Sequence, residues 1–125
     1  MDDLSAAKIE QSRRDRKHLH NRFLKGSQAY SRFLEVERAA FAPGSLDTRH
    51  KELMALSISI VTKCEPCIEW HVEQALQAGA TEADLMETIG VAIEMGGGPA
   101  GAYARFALQA YDHFAGADSV ARHDT

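Results

Sequence analysis

This sequence predicts an all-α fold of five or six helices, and three observations carry that expectation. Apolar residues recur at helical spacing along most of the chain, strand-like alternation is nearly absent, and capping or turn signals interrupt the pattern at helical lengths. At 125 residues the chain suits one domain with a real core, so residues 1–125 are read as a single unit.

Residues 1–20 are mostly polar, with the basic run "RRDRKHLH", and read as a loosely held helical arm, free to pack on a partner subunit. Ser27 to Phe41 carries Tyr30, Phe33, Leu34 and Phe41 at helical spacing, and "APGS" stops it. Asp47 then serves as an N-cap, with Leu46 placed to staple onto the first turn. Leu53 to Val61 is apolar or small on nearly every side, as in a buried central helix. Its "SISIVT" stretch has strand propensity, but no second strand exists to pair with it. The following segment puts Cys64, Cys67, Ile68, His71, Val72, Ala75 and Leu76 on one stripe and Glu65, Glu69, Glu73 and Gln74 elsewhere. Pro66 suits the first turn of that helix, and Gly79 ends it. Thr81 to Asp84 forms a capping box for a helix packing through Leu85, Ile89, Ala92 and Ile93. "GGGPAG" reads as a close-packed kink before a last helix, and "AGADSVARHDT" as a frayed tail.

The net charge of -4 and pI near 5.8 favour neither nucleic acid nor an anionic membrane surface. The N-terminus is charged from its start, without the apolar core of a secretory signal, so a cytoplasmic location is expected. Thiols stay reduced there, and a CxxC pair is catalytic or metal-binding more often than structural.

The chemistry concentrates in "KCEPCIEWH", which holds both cysteines of the chain. Cys64 falls at a helix start, where unpaired N–H groups favour an anion, and such CxxC thiols are acidified. His71 lies four residues after Cys67, on the same face about 5–6 Å away, within reach of the thiol proton. A chain reversal at Thr62 and Lys63 would bring Glu52, ten residues before Thr62, level with His71, nine after it. Glu52 would then orient or charge-tune His71. Three readings fit these residues: a dithiol redox centre, two core cysteines, or half a zinc site with His71 as third ligand. Trp70 reads as an anchor at a packing interface, and "GGGPAG" lacks the context of a phosphate loop.

The stretch from His50 to Ala104 resembles the carboxymuconolactone decarboxylase/alkylhydroperoxidase family, in particular its AhpD-like redox branch, with similarity over about residues 46–112. That pattern is a Glu, eleven residues, C-x-x-C, three residues and a His, met by Glu52, Cys64, Cys67 and His71. The resemblance implies a helical fold around an antiparallel helix pair, assembled as trimers or hexamers. It also implies a thiol–disulfide oxidoreductase with alkylhydroperoxidase-like activity, acting on a hydroperoxide or disulfide, re-reduced by an external dithiol donor and needing no bound cofactor or metal. By the same resemblance Cys67 is the attacking thiolate, Cys64 its disulfide partner, and Glu52 with His71 the proton relay. One departure stands out: redox members have a histidine immediately before the second cysteine, where this chain has Pro66. The rival expectations are a decarboxylase-type lyase acting on a small carboxylated lactone, with Glu52 and His71 as acid and base, and a non-enzymatic helical assembly.

Overall fold

The computed structural model describes the backbone of residues 3–124 and the side chains of residues 3–116. These form six helices: α1 (Asp3–Gly26), α2 (Gln28–Phe41), α3 (Thr48–Val61), α4 (Glu65–Gln77), α5 (Glu82–Gly96) and α6 (Gly98–Asp124). Helix α6 is helical through the segment expected to fray, while Thr125 lies outside the described residues.

Local chemistry sets the boundaries. The Ser27 hydroxyl accepts from the Tyr30 N–H at the start of α2, and Asp47 accepts from the His50 N–H at the start of α3. Thr81 and Asp84 cap each other's amides in a reciprocal box at α5. Helix α4 ends in a Schellman turn, with Gly79 at φ +96° and the Ala80 N–H bonded to the Ala75 carbonyl. Between α5 and α6 the tight approach belongs to Gly96, where a Cβ would lie 2.7 Å from that of Ala100 and 3.3 Å from Val61.

Helices α3 and α4 form an antiparallel pair, with α5 packed on α3 and α6 on α4 and α5. Leu56, Ile60, Ile68, Val72, Leu85, Ile89 and Ala92 fill the centre. Helix α6 meets them through Ala100, Ala104, Ala107 and Ala110, whose small side chains let the helix axes approach closely. Ile93, expected in the core, is 43% exposed.

Two expectations need correction. The N-terminal segment is no loose arm: α1 packs on α4 and α6 of its own chain, and Ile9 is fully buried. Nor do Glu69 and Glu73 lie away from the packed face of α4; both are buried. The two corrections have one cause. Arg16 holds Glu69 through Nε and Nη2 at 3.1 and 3.3 Å, and Arg13 holds Glu73 at 3.1 Å, so the acids are covered by the arginines of α1. Burial still pushes the Glu69 carboxyl above its ordinary range, against the lowering pull of the Arg16 guanidinium.

Candidate active site

The site begins at the turn between α3 and α4. Lys63 takes a left-handed conformation at φ +61°. Its N–H bonds the Ile60 carbonyl and that of Cys64 bonds the Ser59 carbonyl, the Schellman pattern again, here with a non-glycine residue at the left-handed position. Cys64 therefore completes α3. It also starts α4, because its backbone is extended and its sulfur accepts the Cys67 N–H at 3.3 Å. Pro66 follows in the first turn, where no N–H is required. Cys64 and Cys67 are joined as a disulfide, their Cα atoms 5.2 Å apart.

The reversal at Thr62 and Lys63 places Glu52 of α3 against His71 of α4, with Oε2 2.7 Å from Nδ1. A carboxylate only accepts, so Nδ1 carries the hydrogen and Nε2 is left as the basic nitrogen. Glu52 is buried and His71 nearly so, which shields the contact from solvent competition. Phe41, at the end of α2, stacks on the imidazole at 5.6 Å between centroids and 15° between planes. The ring is thus held at one edge and across one face.

Cys67 and His71 open into a cleft of about 710 Å³, whose other walls come from α1 and α2. Tyr30, Phe33, Leu34 and Phe41 of α2 and Trp70 of α4 give it an apolar lining, and Arg16, Lys17, His20 and Glu37 supply its polar groups. Trp70 lies beneath the Arg16 guanidinium at 4.3 Å, so it lines the cleft while anchoring α1. Among the described residues no group of three or more His, Cys, Asp or Glu is arranged to hold a metal ion.

The four residues of the motif are thus gathered at one turn and one cleft. Sequence reasoning did not assign Phe41 to His71, nor Arg16, His20 and Tyr30 to the cleft. One signal was available. Ile9, Arg13, Arg16 and His20 share a helical face on α1, and Glu69 and Glu73 form the complementary i, i+4 pair on α4.

The model of the carboxymuconolactone decarboxylase family matches residues 27–110. The chain belongs to this family. The match begins at the cap of α2, well before residue 46 where the sequence resemblance starts, and leaves α1 outside. Among family relatives, protein 4 of the cox locus of Paracoccus denitrificans is 44% identical over 92 residues, 74% of this chain and 83% of that protein. A Cupriavidus necator protein is 42% identical over 84 residues, covering 67% and 74% of the two chains. A family protein from Legionella pneumophila, solved in its apo form, superposes with a TM-score of 0.83 at 33% identity, covering 86% of this chain and 96% of that one. A Thermotoga maritima member, for which involvement in the antioxidative response has been suggested, gives 0.82 at 27% identity, covering 89% and 95%.

Proposed function

We propose that this family member is a thiol–disulfide oxidoreductase of the AhpD-like branch, reducing hydroperoxides through Cys64 and Cys67. The observation that carries the reading is the disulfide-linked pair at the mouth of α4, opening on a cleft that also holds the Glu52-oriented imidazole of His71. The antioxidative role suggested for the Thermotoga relative supports it.

In the reduced protein, His71 Nε2 takes the proton of Cys67, and Glu52 stabilises the imidazolium that forms. The Cys67 thiolate attacks the terminal peroxide oxygen and becomes a sulfenic acid, releasing an alcohol. The Cys64 thiol attacks that sulfur and expels water, leaving the Cys64–Cys67 disulfide. An external dithiol then reduces the disulfide by exchange. No bound cofactor or metal enters this cycle. We place the protein in the cytoplasm as a homo-oligomer, a trimer or hexamer, where a dithiol donor is at hand.

The test is mass analysis of the reduced protein titrated with a hydroperoxide. Wild type gains the Cys64–Cys67 disulfide, Cys64→Ser accumulates the Cys67 sulfenic acid without turning over, and Cys67→Ser consumes no peroxide. Full peroxide-dependent oxidation in Cys67→Ser would sink the mechanism. The family's name motivates a second reading, a lyase for a small carboxylated lactone using Glu52 and His71 alone. Turnover of such a lactone by the Cys64→Ser/Cys67→Ser double variant would favour it.

A further inference from the structure

The cycle above balances in protons, and one of them must be delivered to the leaving oxygen. When Cys67 takes the terminal oxygen of a hydroperoxide, the O–O bond breaks and the other oxygen departs as an alkoxide, a poor leaving group until protonated. His71 has taken up the thiol proton and keeps it in this assignment, as the imidazolium that Glu52 stabilises through Nδ1. Pro66, beside Cys67, has no N–H to give.

The wall contributed by α1 and α2 holds a suitable group. His20 Nδ1 and the Tyr30 hydroxyl are in hydrogen-bond contact, and their rings meet edge to face at 5.4 Å. Phe23 packs on the Tyr30 ring at 5.1 Å and fixes it. Both residues line the cleft that holds Cys67 and His71. Both also border a second cavity, of about 670 Å³, which offers His20 a path to solvent. The other polar groups of the cleft are less apt. Arg16 is bonded to Glu69 and a guanidinium does not act as an acid, Glu37 as a carboxylate only accepts, and Lys17 is exposed to solvent.

We propose that Tyr30 and His20 form the acid that protonates the leaving oxygen, an assignment that rests on the peroxide-reducing reading. The Tyr30 O–H gives its proton to the alkoxide as the O–O bond breaks, and protonated His20 replaces it through Nδ1. Sulfur is oxidised from thiolate to sulfenic acid, the peroxide is reduced to an alcohol, and the His20 imidazolium becomes imidazole. His20 then regains a proton from solvent, while His71 releases to solvent the one it took from Cys67. His20 lies outside the segment the family model matches, so this acid comes partly from α1.

Two oxidants separate this role from a structural one. tert-Butyl hydroperoxide releases an alkoxide that needs a proton, whereas peracetic acid releases acetate, which does not. Stopped-flow oxidation of reduced Tyr30→Phe and His20→Gln proteins should be slowed about 100-fold with the hydroperoxide and by less than about threefold with the peracid. Equal slowing with both oxidants, or none with either, overturns the assignment. Tyr30→Phe keeps the ring packed on Phe23, and His20→Gln tests the pair should the first variant fail to fold. Wild-type protein whose Cys67 reacts with neither oxidant would refute the peroxide reading itself, and the assignment with it.

Discussion

His71 is held at Nδ1 by a buried carboxylate and across its face by Phe41, so its remaining nitrogen faces the cleft in a fixed orientation. Removing the base by His71→Ala is expected to slow Cys67 oxidation by about 10²–10⁴-fold, as for a typical general base. Glu52→Gln still offers an oxygen to Nδ1 but carries no charge to stabilise the imidazolium, so a smaller loss of about 10-fold is expected. Thiolate absorbance followed against pH, with single-turnover rates, checks both. The Glu52–His71 contact was legible in the sequence because it depends only on helical rise and on one turn between two adjacent helices. The Phe41–His71 stacking was not. It joins elements thirty residues apart, and periodicity says which face of α2 is apolar without saying what that face meets.

At the scale of elements, the site depends on α1 being held against α4. Arg16→Met keeps the packing on Trp70 but leaves Glu69 buried without its partner, at a cost of ~3 kcal/mol. The pH dependence follows from the directions of the carboxyl shifts. Glu69 is raised by burial, so between its ordinary value of 4.5 and its folded value the folded state binds the extra proton, and this group favours folding increasingly as pH falls. Asp47 and Asp84 are lowered by the backbone N–H groups they cap, and Glu10 by its bond to His113. Their contributions are present above the ordinary values of 3.8 and 4.5 and vanish as pH falls toward the depressed ones. Without Arg16 the raising of Glu69 should grow, so the melting temperature of Arg16→Met should climb from about pH 7 to about pH 5 more steeply than that of wild type. Thr81→Ala, which removes half of the α5 capping box, is expected to cost about 1 kcal/mol in urea unfolding. That box, the Asp47 cap and the Gly79 stop could be read directly, because each is a local sequence signal. The docking of α1 was misjudged because its charges looked like a solvated surface, and only the tertiary structure shows Arg13 and Arg16 turned inward onto buried acids.

For the whole molecule, the expectation of a buried central helix fails within the single chain. On α3 Met54 and Ile58 are 51% and 62% exposed, and on α5 Val91 and Met95 are 58% and 73% exposed, although both helices contribute to the core on their other sides. An apolar face spanning two neighbouring helices is the kind of surface a subunit contact covers. With the assembly proposed above, Ile58→Glu should shift the sedimentation profile of the protein toward monomer while leaving its helical circular dichroism intact. An unchanged profile would move the subunit contact elsewhere. The all-round apolar character of α3 was visible in the sequence, but which of its sides packs within the chain was not, because periodicity cannot tell one apolar neighbour from another.

One residue joins two jobs that mutagenesis would like to keep apart. The amide of Cys64 closes one helix and its side chain opens the next, so swapping it for alanine would strip a cap as well as a sulfur. Serine, itself among the preferred N-cap residues, supplies an oxygen in the same place and spares the scaffold. Alanine data at position 64 would therefore mix lost redox chemistry with a loosened joint, and only the hydroxyl variant isolates the former.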